Sequence, residues 1–244
     1  MNPFRTIAGL AALAVAALTL PACASLVGPG NASTEERHVA GFHAIALSAP
    51  VDVQLVQDGT EGLTITGDDN VLPLIETKVE NGVLKIRFVD HHANVTTHGD
   101  IKATVRAKSI DTIMVAGSGD VRTAALDAPH LKVLIGGSGD VRIAGLTTPA
   151  LETHIGGSGD LTAAGKVGTF EVNIGGSGDV KAQHLRATSA EVTVAGSGTV
   201  GLWVDQSLKV KVLGSGDVSY YGDPSVQKQV TGSGGVKRLG ASPS

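Results

Sequence analysis

Five aspartates and seven serines recur at a nearly constant spacing in the second half of the chain, and both residue types can do chemistry. A row of carboxylates could bind Ca²⁺, which prefers oxygen ligands. A serine could act as a nucleophile if a base and an orienting acid stood beside it. Both occur in the motif Gly-Ser-Gly-Asp, whose seven copies begin at Gly117, Gly137, Gly157, Gly176, Gly196, Gly214 and Gly232.

The other motif positions form three further columns, and we expect all of them to serve the structure of a sharp corner. The serines are Ser118, Ser138, Ser158, Ser177, Ser197, Ser215 and Ser233. The second glycines include Gly119, Gly139, Gly159, Gly178 and Gly216. The aspartates are Asp120, Asp140, Asp160, Asp179 and Asp217, while Thr199 and Gly235 replace Asp in two copies.

The serine column predicts a structural row rather than a nucleophile. No histidine recurs with the aspartates, so the histidine and acid pair of a catalytic serine is missing from the repeat. Stacked hydroxyls could instead hydrogen-bond to corner amides and to each other. The glycines fit the same reading, because a tight corner needs either a positive φ or a close approach of two backbones.

Stacked aspartates need compensation, because carboxylates about 5 Å apart repel by about 0.9 kcal/mol in water. Three groups could compensate this repulsion: hydrogen bonds from corner N–H groups, a cation two residues downstream, or bound Ca²⁺. The downstream cations pair Asp120 with Arg122, Asp140 with Arg142 and Asp179 with Lys181, whereas Asp160 and Asp217 are followed by Thr162 and Ser219. Calcium β-rolls place the aspartate one residue later in a shorter repeat. A capped, ion-paired turn without metal or cofactor is therefore predicted.

Two other groups of side chains could bind a ligand. His91, His92 and His98 lie in a polar stretch and could hold zinc, but their spacing matches no established site, and a solvated loop is expected. Trp203, Tyr220 and Tyr221 lie close together in the sequence. They could form a sugar-stacking patch, or they could pack in the core or cap its end.

The repeat spacing predicts the elements that position these columns. First glycines of successive copies lie 20, 20, 19, 20, 18 and 18 residues apart, and apolar residues alternate before each copy. About 20 residues of extended chain measure about 65 Å, which suits one coil of short strands with sharp corners. Coils stacked at about 4.8 Å bury each other's apolar face. We therefore predict an all-β fold, a right-handed parallel β-helix.

The region before the repeats predicts strands without a regular period. Alternating segments lie at 51–55, 63–65, 83–88 and 103–106. Asn81-Gly82 is typical of a hairpin turn and would join 76–80 to the strand at 83–88. A short helical turn is expected around residues 70–75, and a loop over 90–100.

Composition and charge limit the function classes. Hydrophobic residues make up 42% and aromatic residues 3% of the 244 residues, so Val, Ile, Leu and Ala must form the core. The formal net charge is −4. That balance gives no electrostatic reason to expect nucleic-acid binding.

The N-terminus predicts export. Arg5 precedes an apolar stretch at residues 7–20, which is short for a membrane-spanning helix. Leu20-Pro21-Ala22-Cys23 resembles a lipobox in which Cys23 is lipidated, although Ala22-Cys23-Ala24 also fits ordinary signal peptidase. Cys23 is the single cysteine. We predict a signal peptide at 1–23, a flexible tether at 24–36 and a β-helix domain at 37–240.

The repeated Gly-Ser-Gly-Asp-Val units, together with residues 41–45, 51–55 and 80–86, resemble the head GIN domain family of bacterial envelope proteins, described as auto-transporter adhesins. The resemblance covers residues 37–239. It implies a right-handed β-helix and a role in cell adhesion. It assigns no catalytic residue to this chain. The two final repeats depart from the pattern, because they have 18 residues each.

The leading hypothesis is a non-enzymatic envelope protein, placed at the outer membrane or cell surface by a lipid anchor, or else periplasmic or secreted. Its β-helical head would bind a surface partner or polysaccharide. Outward columns offer the contact positions, namely Lys132, Glu152, Glu171, Glu191 and Lys209. The alternatives are a polysaccharide-acting β-helix enzyme, which rests on fold analogy, and a spacer that self-associates through open coil ends.

Overall fold

A computed structural model describes residues 26–27, 30–89, 94–95 and 99–243. The described chain is nearly all β, with 63% strand and a solenoid of about 6 turns with ~20 residues per turn. The predicted β-helical fold is therefore confirmed. The signal peptide, Cys23 and the histidines 91, 92 and 98 lie outside the described residues.

The first part of the chain builds the N-terminal end of the solenoid. Its elements are β1 (Leu26–Val27), β2 (Ala32–Arg37), β3 (Ala44–Leu47), β4 (Val51–Gln57), β5 (Gly62–Asp68), a 3-10 helix (Leu72–Leu74), β6 (Ile75–Glu80), β7 (Val83–Phe88), β8 (Asn94–Val95) and β9 (Ile101–Ala107). The four predicted strands and the short helical turn are confirmed. The hairpin is confirmed as well, because β6 and β7 pair antiparallel around Asn81 and Gly82, both with positive φ.

The repeats form parallel strands that wrap around the solenoid axis. They are β10 (Thr112–Val115), β11 (Val121–Thr123), β12 (Leu126–Asp127), β13 (Leu131–Ile135), β14 (Val141–Ile155), β15 (Leu161–Ile174), β16 (Val180–Val194), β17 (Val200–Val212), β18 (Val218–Tyr221), β19 (Ser225–Val230) and β20 (Val236–Gly240). The strands β14 to β17 each extend around most of one coil. Each pairs in parallel with its successor from one repeat to the next.

The register places equivalent residues above one another, so the core consists of continuous columns. Ile113 pairs with Val133, which pairs with Thr153, and all three are fully or almost fully buried. The same column continues below the repeats, because Ile113 also pairs with Ile45. Strand β3 is therefore the first coil beneath β10, although 68 residues separate the paired positions.

The prediction of a flexible tether at residues 24–36 is wrong for residues 32–36, which lie in a strand. Residues Ala32–Arg37 form β2, which pairs antiparallel with β5 at the sheet edge. The Thr34 and Thr66 hydroxyls share a 2.9 Å hydrogen bond, and Arg37 donates to the carbonyl of Leu72 at 2.7 Å. This edge strand is polar and never fully buried, which is why its sequence looks like a linker.

The two ends of the solenoid differ. At the N-terminal end, Val71 and Leu72 are fully buried beneath the antiparallel strands. At the C-terminal end, β19 and β20 are largely exposed, and Val230 and Leu239 keep 42% and 43% of their surface in solvent. Arg238 donates to the carbonyl of Gly222 at 2.7 Å and so ties β20 to the coil before it. No helix within the described ranges is long and apolar enough to span a membrane.

Candidate functional site: corner ladders and outer grooves

The corner glycines are needed because successive backbones approach very closely. A Cβ at Gly137 would overlap the carbonyl oxygen of Gly117, and one at Gly157 would overlap that of Gly137. The second glycines behave in the same way, since a Cβ at Gly159 would overlap the carbonyl of Gly139. Among the described corner glycines, a positive φ occurs at Gly232 alone. Close approach, rather than a left-handed backbone, therefore explains the glycine columns.

The corner serines support the stack through their backbone. The N–H of Ser138 donates to the carbonyl of Gly117 at 3.1 Å, and that of Ser158 donates to Gly137 at 3.0 Å. Their side chains are exposed, and no corner serine hydroxyl makes a hydrogen bond within the described residues. The predicted ladder of serine hydroxyls is therefore wrong. The corner turns the side chain outward while the main chain forms the ladder.

The aspartates link each coil to the next. Oδ1 of Asp120 accepts a hydrogen bond from the backbone N–H of Asp140, Asp140 does the same for Asp160, and Asp160 for Asp179, each at 2.8 Å. The N–H of Thr199 donates to Asp179, also at 2.8 Å. Because Thr199 has no carboxylate, this aspartate ladder is interrupted there, and a separate link joins Asp217 to the N–H of Gly235 at 2.7 Å.

The downstream cations bridge neighbouring carboxylates. Arg142 donates to Oδ2 of Asp140 at 2.7 Å and to Oδ2 of Asp120, one coil below, at 3.0 Å. Arg122 pairs with Asp120 at 2.6 Å. A cation that spans two stacked carboxylates offsets the repulsion between them. The predicted pairs Asp120–Arg122 and Asp140–Arg142 are confirmed.

The third predicted pair is wrong, because Lys181 contacts Asp160 at 2.6 Å rather than Asp179. The long side chain reaches back to the preceding coil, whose own downstream residue is Thr162. Burial alone would raise the pKa of Asp160, but hydrogen bonds from Lys181 and from the N–H of Asp179 outweigh it and lower the pKa. The same contact raises the pKa of Lys181.

Asp52 begins the ladder, which the sequence pattern missed. The N–H of Asp120 donates to Oδ1 of Asp52 at 3.2 Å, because β4 pairs with β11 directly beneath the first repeat. The available signal was the Val51-Asp52-Val53 segment, which resembles the Asp-Val half of the motif without its glycines. Only the register shows that it belongs to the same column.

The arrangement of the aspartate ladder suits a structural role. Oδ1 of each linked aspartate accepts from a backbone N–H, and Oδ2 of Asp120, Asp140 and Asp160 accepts from an arginine or lysine. Within the described ranges, no three His, Cys, Asp or Glu residues are grouped as a metal ion would need.

The outward column on the strand before each corner is also paired between coils. Lys132 contacts Glu152 at 2.9 Å, and Lys209 contacts Glu191 at 2.6 Å. Hydrogen bonds from His154 and then from Lys132 lower the pKa of Glu152. Glu171 accepts from Asn173 at 2.8 Å.

The upper part of this column forms one wall of a groove of about 450 Å³, which we call the serine groove. One wall is a row of hydroxyls and the other a row of charged or amide groups, while Phe170, Ala190 and Leu208 lie between them. The hydroxyl row pairs in register through four coils, so the groove extends about 14 Å along the axis. The walls are Thr169, Ser189, Ser207 and Ser225 on one side, and Glu171, Glu191, Lys209 and Gln227 on the other.

The three aromatic residues near the C-terminal end separate into two roles. Tyr220 pairs with the buried Leu202 and packs against the core. Trp203 and Tyr221 pair with each other on neighbouring coils and lie on the outer face. The alternation of the strand therefore assigns Tyr220 to end-capping and the other two to the surface.

Fold and site together define a repetitive β-solenoid head, in which ladders at the corners hold the coils in register and grooves lie on the outside. The chain belongs to the family described as "Putative auto-transporter adhesin, head GIN domain", whose family model matches residues 41–224. The family resemblance seen in the sequence is thereby confirmed.

Solved structures share this fold. A "putative adhesin" from Bacteroides fragilis is 26% identical, with a TM-score of 0.83 over 87% of this chain and 100% of that one. A "putative lipid binding protein" from Parabacteroides distasonis is 24% identical, with a TM-score of 0.70 over 88% and 99% of the two chains. A "putative adhesin" from the same species is 24% identical, with a TM-score of 0.68 over 88% and 100%. No curated protein matches the chain.

Proposed function

We propose that this protein is the non-enzymatic binding head of an exported envelope protein, and that it binds a polysaccharide along the serine groove. The observation that carries the proposal is the groove itself, which presents hydroxyls from four successive coils opposite two carboxylates, a lysine and an amide. Equivalent groups recur there at the strand spacing of about 4.8 Å. A repeating surface of this kind complements a repeating ligand.

The chemistry of the walls supports a polyhydroxylated ligand. Serine and threonine hydroxyls both donate and accept hydrogen bonds, and carboxylates accept them from ligand hydroxyls. Each contact is weak when exchanged against water. Several contacts along one polymer reinforce each other. Once the first sugar unit is bound, the next unit is held near its own contact at a high effective concentration.

The family name and the neighbouring adhesin are consistent with a surface location for this chain. The N-terminal signal and Cys23 supply the expected route, since lipidation would anchor the head to a membrane after export. If the Ala-Cys-Ala site were cut instead, the head would be periplasmic or secreted. One neighbour's name mentions lipid, but its likeness to this chain extends to the fold alone.

The first alternative is an enzyme that binds a polysaccharide in the same groove and cleaves it. Such an enzyme uses a pair of carboxylates with distinct acid and base roles. In the serine groove, Glu191 is ion-paired with Lys209 and Glu171 accepts from Asn173. Both side chains are exposed, so neither has the apolar surroundings that keep a general acid protonated. The groove therefore favours binding over turnover.

A self-associating spacer is the second alternative, and the observation that favours it is the exposed C-terminal end. Among the described strands, β19 pairs with β17 alone, and most of its residues are exposed. An open strand edge can template pairing with another chain. Sedimentation velocity across a range of concentrations separates this alternative from a monomeric head.

A glycan array tests the proposal directly. The mature protein should bind at least one polysaccharide class, and Ser207→Lys, which fills the groove, should reduce that binding at least tenfold. Ser158→Lys is the matched control, because it adds the same charge at an exposed corner serine outside the groove. Absence of binding to every glycan, or equal binding by both variants, would contradict the groove proposal, and release of shortened sugars would favour the enzyme.

A further inference from the structure

We propose a second ligand site on a neighbouring face, in which Trp203 and Tyr221 stack against a saccharide ring while Arg186 and Asp205 bind its hydroxyls. The four residues form what we call the aromatic platform. The site goes beyond the serine groove, because it needs no repeating ligand and uses none of the groove's wall residues.

The platform is built by register. Arg186, Trp203 and Tyr221 are paired positions on three successive coils, so their side chains form one outward column. The residues on either side of Trp203, Leu202 and Val204, are buried, which fixes the ring on the outer face. The guanidinium carbon of Arg186 lies 5.3 Å from the centroid of the indole ring. That distance is within the range of a cation–π contact, which holds the ring in place.

A polar pair lies beside the rings. Nε of Arg186 donates to both carboxylate oxygens of Asp205, at 2.8 and 3.2 Å. Both bonds leave from Nε, so the terminal amino groups of Arg186 have no hydrogen-bond partner among the described residues. Asp205 keeps about a third of its side chain exposed. Fixed donors and acceptors therefore stand next to two partly exposed aromatic rings.

An open groove of about 470 Å³ adjoins the platform and gives the ligand room. Threonines 147 and 188 contribute hydroxyls to it, and Lys166 and Arg186 contribute positive charge. Within the described ranges, Lys166 makes no ion pair. With Asp205 as the single carboxylate lining it, this groove carries a local excess of one positive charge.

These features match the chemistry of a sugar ring. A pyranose has an apolar C–H face that can cover an aromatic ring, and an edge of hydroxyls that needs paired donors and acceptors. Trp and Tyr provide this area with little loss of side-chain freedom. The excess positive charge favours a sugar that carries a carboxylate, so acidic oligosaccharides should bind more tightly than neutral ones.

Trp203 is the single tryptophan of the chain, so its fluorescence reports on this site alone. The mature protein is titrated with oligogalacturonate, cellohexaose and chitohexaose while tryptophan emission is followed. A saturable change is expected, with oligogalacturonate binding at least threefold more tightly than the neutral sugars. Tyr221→Ala and Arg186→Ala should each weaken binding about tenfold or more.

Two controls separate this proposal from the serine groove. Ser207→Lys should leave the fluorescence titration unchanged even if it abolishes binding on the glycan array. Tyr220→Phe should also bind normally, because that side chain packs on the core. Melting curves of each variant show that it is folded. Failure of all three sugars to change the emission, or a titration unaffected by Tyr221→Ala, would overturn the aromatic platform as a saccharide site and leave it as a surface for a protein partner.

Discussion

Asp140 and Asp160, 20 residues apart in sequence, are joined by a 2.8 Å hydrogen bond from the backbone N–H of Asp160 to Oδ1 of Asp140. This contact means that each corner aspartate satisfies the main chain of the following coil rather than its own turn. The carboxylate therefore acts between repeats, where it holds neighbouring coils in register.

Gly157→Ala should destabilise the protein strongly. The new Cβ would overlap the carbonyl oxygen of Gly137, and the coils cannot separate without breaking the ladder. A loss of about 2 kcal/mol or more is expected, in the range for overpacking. Gly156→Ala is the control, because no atom lies within 4 Å of the Cβ added there. Thermal melting checks both, and equal melting temperatures for the two variants would contradict the close-approach explanation.

Asp140→Ala should cost about 1–3 kcal/mol, because it leaves the N–H of Asp160 and the guanidinium of Arg142 without this partner. Asp140→Asn keeps an oxygen at the Oδ1 position and should cost less. Asp223→Asn changes the charge by the same amount at a side chain that is 94% exposed, and should have almost no effect. Urea unfolding measures all three. If the aspartate ladder contributed nothing to stability, the three variants would unfold at the same urea concentration.

Acid should weaken the corner at Asp160. Because its pKa is lower in the folded protein than in the unfolded chain, the carboxylate stabilises the fold above about pH 4, the ordinary value for aspartate. That contribution disappears as the pH falls through the folded pKa. The melting temperature of Asp160→Asn should therefore fall less than that of the wild type between pH 5 and pH 2, as followed by circular dichroism. Parallel curves for the two proteins would argue against a lowered pKa.

Thr153→Val should stabilise the protein by about 1 kcal/mol. Thr153 is fully buried in the Val and Ile column, and its hydroxyl has no hydrogen-bond partner among the described residues. A buried hydroxyl without a partner costs about 1–3 kcal/mol. Thr193→Val, on the outward side of the same sheet, should change the stability by less than about 0.5 kcal/mol. A lower melting temperature for Thr153→Val would contradict this prediction.

Cys23→Ser should abolish lipid attachment in a bacterial host that exports the full chain. Labelled palmitate should enter the wild-type protein and not the variant, and the variant should move from the membrane fraction to the soluble fraction. Ser25→Ala, which leaves the lipobox-like residues intact, is the control. Absence of label from the wild type would favour cleavage by ordinary signal peptidase instead.

The sequence alone determined the solenoid, because period-two alternation fixes which side chains face inward and the spacing of about 20 residues fixes where each coil closes. It also predicted that Arg122 and Arg142 lie beside their own aspartates, since residues two apart on a strand share a face. These relationships lie within one coil. Local geometry is enough to define them.

Contacts between coils were decided only by the tertiary structure. The sequence could not place Asp52 under Asp120, direct Lys181 to Asp160, or pair the polar edge strand β2 with β5, because each depends on which strand lies next in space. Nor did it distinguish Tyr220, which packs against the core, from Trp203 and Tyr221 on the outer face. A side chain with several rotatable bonds chooses among partners on neighbouring coils, and that choice follows from stacking distance and register rather than from spacing along the chain.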